Sequence, residues 1–214
     1  MAQQLQVPLI QSEATVFSES ACELLCAEME VDGLPFELSV GESIVAGFVG
    51  PRPTTAGEAN AELARRDTEV LQHLPPGSTF DLRSPDQVKS LLRRVGIEVP
   101  DTRAWRLEAL RDAHPIVEPL MAWRRAERIL TTFGFQWIDD NIATNPSGQA
   151  RLHGSWSGSD GAAGRMTATV GLHNMPAELR PAVAAEPGHV FVRADLGQIE
   201  PRVLAAIAGD PKLA

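Results

Sequence analysis

No stretch of this sequence carries the roughly 18 uninterrupted apolar residues of a membrane-spanning helix, although 43% of its residues are hydrophobic. The first residues, Met-Ala-Gln-Gln-Leu-Gln-Val-Pro, lack the basic start and long apolar centre of a secretory signal. A soluble, cytoplasmic protein is the expectation. Cysteine is scarce, with only Cys22 and Cys26, one helical turn apart. A structural zinc site wants four ligands, and no Cys or His cluster lies near enough to complete one, so no zinc is expected. The pair reads as buried helix cysteines acting as small apolar residues, reduced as the cytoplasm would keep them. Internal repeats and low-complexity tracts are also absent, and the 214 residues suffice for one large domain or two small ones.

Positive charge is in short supply too, and the net charge is −9. The deficit is uneven: residues 1–90 hold 5 Lys and Arg against 14 Asp and Glu, whereas residues 91–214 hold 14 of each. Nearly all the cations are Arg, and they cluster at Arg93-Arg94, Arg103, Arg106, Arg111, Arg124-Arg125 and Arg128. Charge alone favours a solvated helix face. Phosphate contact is the sharper reading, and it depends on motifs rather than on charge.

Along the chain, residues 18–31 have helical spacing, with Leu24, Leu25, Met29 and Val31 expected on one side, and Gly33-Leu34-Pro35 ends that helix. Further helices are expected from Val40 to Val49, stopped by Gly50-Pro51-Arg52-Pro53, and over 57–74, stopped by Pro75-Pro76-Gly77. Ser84-Pro85-Asp86 starts another, with Ser84 as cap and Gln87 where a capping box wants it. Two longer helices follow, about 103–113 and 115–133. From Gly134 the texture changes to aromatics, Asn, Gly and Ser with short strand-like segments. The expected class is α+β, predominantly helical, with a helical region over 1–133 and the start of an α+β region over 134–214.

Residues 191–202, Phe-Val-Arg-Ala-Asp195-Leu-Gly-Gln198-Ile-Glu200-Pro-Arg202, carry the most information. The apolar run from Val190 to Val192 delivers Asp195 where a strand is expected to end, and an amphipathic helix from Val203 to Ala208 follows. A carboxylate held at a strand end suits a hard divalent cation. The segment resembles motif A of the family A (DNA polymerase I-like) DNA polymerases, usually Asp-Tyr-Ser-Gln-Ile-Glu-Leu-Arg. Asp195, Gln198, Ile199, Glu200 and Arg202 match, while Leu196, Gly197 and Pro201 depart.

Other pieces match the same family in its own order. Met29 to Pro35 is similar to the turn leading into the thumb, and Phe80 to Gln87 to the Phe-Asn-x-x-Ser-Pro-x-Gln thumb segment. His114-Pro115, with Glu118, Leu120, Trp123 and Arg124, resembles the His-Pro helix running from thumb to palm. Arg151-Leu152-His153, Gly164-Arg165-Met166 and Leu172 to Pro176 resemble the family's Arg-Ile-His, Thr-Gly-Arg-Leu and Leu-Gln-Asn-Ile-Pro. Arg180, Ala182-Val183 and Glu186-Pro187-Gly188 lead into motif A as they do there, and the Glu-Pro-Arg at 200–202 is similar to the bifunctional 3′–5′ exonuclease/DNA polymerase branch.

The resemblance implies polymerase thumb helices followed by the start of an antiparallel palm sheet, and template-dependent nucleotidyl transfer in replication or repair. In that chemistry two Mg²⁺ ions about 3.5–4 Å apart stabilise the attacking and leaving oxygens. It implies catalytic roles for Asp195, as one metal carboxylate, and Glu200, as the steric gate against the ribose 2′-hydroxyl. By themselves, Asp195 reads as a helix-capping Asp and Glu200 as an exposed first-turn Glu favoured by the helix dipole. Gln198 and Arg202 would brace the site or reach DNA, or be surface residues. Arg165 would lie in the minor groove beside the primer end, where every base pair offers an acceptor. Asn174 would order the template-side loop, with His173 replacing the family's Gln. Arg103, Arg106, Arg124 and Arg128 are candidate phosphate contacts. Asp67-Thr68-Glu69 spells an exonuclease Asp-x-Glu, but in a helical context that reads as coincidence.

The family's motifs B and C would fall beyond residue 214, so this chain is expected to be a polymerase fragment, inactive alone. Its expected partner is primer–template DNA, with deoxynucleotide triphosphates only if fingers and the rest of the palm are supplied. The alternatives are a non-catalytic DNA-binding remnant or one half of a split polymerase.

Overall fold

Apolar residues at three- and four-residue spacing give the helix Val117–Phe133 one continuous buried stripe: Val117, Leu120, Trp123, Ala126, Ile129 and Phe133. This helix, α6, joins two cores. Its first half packs with Val70, Leu82, Val88, Leu91, Leu92, Ile97, Leu107 and Ile116, and its second half with Phe36, Val45, Val49, Ile138, Leu152 and Leu179. The computed structural model describes residues 13–160 and 165–209.

Before α6 come α1 (Glu13–Asp32), β1 (Leu34–Pro35), α2 (Leu38–Val49), α3 (Ala56–Leu71), α4 (Pro85–Arg94) and α5 (Ala104–Glu108). After it come α7 (Phe135–Asn141), β2 (Ile142–Thr144), β3 (Ala150–Leu152), β4 (Trp156–Asp160), β5 (Arg165–Ala168), two single 3-10 turns (Leu172–Asn174 and Arg180–Ala182) and α8 (Ile199–Ala208). The fold is α+β and mostly helical, with antiparallel sheets ordered β1-β3-β2 and β4-β5. The chain divides into two compact units, Met1–Val183 and Ala184–Ala214.

Local signals account for the helix ends. Thr55 accepts from the Glu58 N–H while the Glu58 carboxylate accepts from the Thr55 N–H, a reciprocal cap on α3. The Thr54 hydroxyl and N–H also reach that carboxylate and hold it below the usual range. Its folded pKa lies below the unfolded one, so its contribution is present at neutral pH and is lost as pH falls through the depressed value. Thr55→Ala is expected to lower stability by about 1 kcal/mol, read as a drop in thermal midpoint.

Four expectations change. Ser84 caps α4 by accepting from the Gln87 N–H, but Gln87 does not complete a capping box; its Oε1 accepts from the Asp81 N–H at 2.8 Å and closes the preceding turn. The helix expected over 103–113 ends at Glu108, because the chain must turn there to place both Leu107 and Ile116 in one core. Residues 135–141, in the stretch from Gly134 where no helix is expected, form α7, which buries Phe135 and Ile138.

The fourth change concerns α1. Leu24, Leu25 and Val31 are exposed, and the helix packs on β4 with the opposite side, where Cys26 is buried, Cys22 partly so and Met29 partly so. Polar groups decide that orientation. Glu23 accepts from the Gly158 N–H at 3.0 Å and Glu30 from the Trp156 N–H at 2.6 Å, satisfying donors on an outer strand. A Cβ at Gly158 would lie 2.9 Å from Cys22 Sγ, so only glycine admits this approach. Burial pushes the Cys26 thiol up.

Candidate nucleic-acid interface and motif A carboxylate

β5, the turn after it and the 3-10 segment Leu172–Asn174 hold two of the candidate DNA residues. Arg165 opens β5 opposite Asp160, and Asn174 closes the 3-10 turn with an exposed side chain. Between them Val170 and Gly171 both take the left-handed backbone region, with φ of 49° and 78°. For a β-branched residue that conformation costs about 1–3 kcal/mol and needs support from outside. The support is visible: the Trp137 indole N–H donates to the Val170 carbonyl at 2.9 Å, and a Cβ at Gly171 would lie 2.8 Å from the Phe133 ring. The α6–α7 corner therefore sets how this turn is presented. Nothing in the sequence signalled that role for Trp137 or Val170. His173 stands edge-on to Trp156, with ring centroids 5.4 Å apart, tying the 3-10 turn to β4.

The arginines of α6 divide. Arg124 donates to the Thr102 carbonyl at 2.6 Å and so ties α6 to the loop before α5. Arg128 is exposed and, with Arg83, Arg124 and Thr131, lines an open cleft of about 520 Å³. Asp67 is structural: it accepts from the Trp123 indole N–H at 2.7 Å and pairs with Arg83 at 3.1 Å. Its position inside α3 leaves the Asp-x-Glu reading without the strand it would need.

Motif A lies in the second unit and is described within it. The segment from Val190 to Val192 is not a strand: exposures of 82, 56 and 90% go with the absence of any ladder partner among the described residues. An extended chain becomes a strand only when a neighbour takes its N–H and C=O groups. Asp195 is exposed, and its side chain makes no hydrogen bond or ion pair among the described residues. It does not cap α8, whose N-cap residue is Gln198. Gln198 has φ 56° and ψ 40°, a second non-glycine residue in the left-handed region, and turns the chain sharply between Asp195 and Glu200. Glu200 sits exposed in the first turn of α8, and Arg202 donates its N–H to the Gln198 carbonyl at 3.1 Å.

Among the described residues no three His, Cys, Asp or Glu side chains come together as a metal site. A Mg²⁺ ion is commonly held by one or two carboxylates, with waters and substrate phosphates completing its six oxygens. No helix among those residues is long and apolar enough to cross a membrane.

The family model described as DNA polymerase family A matches residues 54–214, three quarters of the sequence and all the elements from α3 onward. The chain belongs to this family. Among curated relatives, the thermostable DNA polymerase I of Thermus aquaticus is 33% identical over 173 residues, covering 73% of this chain and 20% of that protein. The DNA polymerase I of Deinococcus radiodurans is 30% identical over 178 residues, covering 74% of this chain and 18% of that protein. This family A polymerase chain therefore spans about a fifth of the length of such relatives. Its fold is similar to the POL domain of Pol1 from M. smegmatis, solved in complex with DNA primer-template and dNTP. The TM-score is 0.61 at 24% identity, covering 90% of this chain and 34% of that one.

Proposed function

We propose that this chain is the thumb, residues 1–133, and the first part of the palm, residues 134–214, of a DNA-directed DNA polymerase. It binds primer–template DNA in the cytoplasm during replication or repair. The left-handed Gln198 carries this reading: strain at a non-glycine position is kept where geometry matters, and here it sets an exposed Asp195 apart from Glu200 at the head of α8. Asp195 is then one carboxylate of an Mg²⁺ site whose remaining ligands the described residues do not supply, and Glu200 is the steric gate. Arg165 and Asn174, flanking the braced Val170–Gly171 turn, contact the duplex near the primer end. Gln198 and Arg202 support the motif, and Arg128 meets phosphate, whereas Arg124 acts by holding α6 to the loop at Thr102.

Because the two-ion chemistry needs a second metal carboxylate beside Asp195, the 214-residue chain alone is expected to incorporate no nucleotide. Single-nucleotide incorporation by the pure chain, abolished by Asp195→Ala, would overturn that expectation. The test of DNA binding is fluorescence anisotropy of a labelled primer–template across a salt series. Binding is expected to fall steeply with salt, to favour a recessed 3′ end over blunt duplex, and to weaken about tenfold in Arg165→Ala. Equal affinity for blunt and recessed ends would remove the polymerase reading of this surface.

A second reading, one half of a split polymerase, is favoured by the apolar surface of the second unit. Phe191, Leu196, Leu204 and Ile207 are 56, 74, 64 and 80% exposed, an arrangement that calls for covering strands and helices. In that case a separately expressed chain carrying motifs B and C restores incorporation when mixed with this one.

A further inference from the structure

Trp105 differs from the other tryptophans of the chain. Trp123 is buried on Asp67, Trp137 donates to Val170, and Trp156 packs against His173. Trp105, in α5, is 60% exposed.

The residue is nonetheless held in a built arrangement. Asp101 Oδ1 accepts from the Arg103 N–H at 3.0 Å, and Oδ2 accepts from Arg106 Nε at 3.1 Å. The Arg103 N–H, above all, keeps the Asp101 carboxyl below the usual range, with the Arg106 and Arg103 charges adding to it. Arg106, fixed in this way, lays its guanidinium carbon 4.2 Å from the centroid of the Trp105 ring. One face of the indole is therefore covered by a cation, and the large remaining exposure belongs to the other face and the edge. Arg103 stays 72% exposed, with only a 3.9 Å approach to Asp101. The nearby Glu108 is taken up by Arg111 at 3.0 Å.

A flat aromatic face backed by a cation suits a nucleobase, because every base offers a π-face and stacking does not depend on sequence. The exposed Arg103 suits the adjoining phosphate. Paired bases inside a duplex are already stacked on both sides, so this face selects bases that are unpaired. We propose that Trp105 is a stacking platform for an unpaired base of single-stranded DNA, with Arg103 on the neighbouring phosphate and Arg106 positioning the indole. The proposal rests on the reading of this chain as DNA-binding, and it adds a single-stranded site to the duplex contact assigned to Arg165. Exposed Trp and Arg also mark protein interfaces, an outcome the following experiment separates.

The test is anisotropy of labelled oligodeoxythymidylate, about twelve nucleotides long to match usual site sizes, beside the recessed primer–template, with the full 214-residue chain. Oligodeoxythymidylate is expected to bind and to quench tryptophan emission. Trp105→Ala is expected to weaken it about 5- to 100-fold with an unchanged circular dichroism spectrum, and Trp105→Phe to retain most of the affinity. Undiminished binding by Trp105→Ala overturns the platform. Binding of primer–template through Arg165 without binding of oligodeoxythymidylate also overturns it, leaves the polymerase reading standing and points to a protein partner for Trp105. Trp105-dependent binding of oligodeoxythymidylate without junction preference upholds the platform and removes the polymerase reading. Binding of neither DNA at low salt removes both.

Discussion

Glu127→Ala is expected to destabilise the chain by about 3–5 kcal/mol. Arg66 projects from α3 with only 4% of its side chain exposed, and Glu127 on α6 is its partner, at 3.5 Å. Glu127 also takes Arg83 Nε at 2.9 Å. Among the described residues Arg66 Nε and Nη1 have no hydrogen-bond partner, and Glu127 is the carboxylate within ion-pair distance of this buried charge, with Glu62 acting on it from further away. Taking the carboxylate away leaves a guanidinium stranded in a low-dielectric interior, and it cannot neutralise itself, because arginine keeps its proton. Arg83 retains Asp67 and loses less. In urea, at about 2 kcal/mol per molar, the midpoint followed by far-ultraviolet circular dichroism falls by about 2 M.

The matching double variant, Arg66→Met with Glu127→Leu, is expected to lie near the parent, because apolar replacement of both partners removes the desolvation cost together with the attraction. If Glu127→Ala alone left the midpoint within a few tenths of a molar, Arg66 would have to reach water, contrary to its burial.

Phe133→Ala carries a similar expected cost, about 3–5 kcal/mol, and its consequences extend to the candidate interface. The ring is 1% exposed at the end of α6, meets Trp137 edge-on with centroids 5.2 Å apart, and covers Gly171. Removing it opens a cavity in the second half of the core and withdraws one of the two supports of the strained Val170–Gly171 turn. A drop in urea midpoint is the first readout. The second is primer–template affinity at a temperature where the variant is still folded, which is expected to fall because Asn174 and Arg165 flank that turn. A variant that lost stability but kept affinity and salt dependence would show that the turn holds its shape through the Trp137 hydrogen bond alone.

Much of this was legible in the residues. The helix start at Ser84 and the stop at Gly50 are local, set by capping and by backbone restriction within a few residues, whereas the helix expected over 57–74 starts behind the Thr55 cap and ends already at Leu71. The stripe of α6 is likewise a matter of spacing. Family membership was readable as well, since the motif pieces keep their order from Phe80 to Arg202 and the family model spans residues 54–214. The candidate site was legible only as a set of residue names.

The orientation of α1 was not legible, because its apolar residues suggest one buried side while its carboxylates serve the N–H groups of β4, more than a hundred residues away. Neither was the state of Val190–Val192, because β-structure requires a partner strand and periodicity names none. The sequence by itself determined most of the helices, the family and the identity of Asp195, Glu200 and Arg165 as candidates, since these depend on local preferences and on residue order. Only the tertiary structure decided which side of α1 is covered, that Arg124 binds Thr102, that Arg66 depends on Glu127 and that Trp137 braces Val170. Each of those is a contact between residues distant in the chain, and such contacts exist only once packing has brought the partners together.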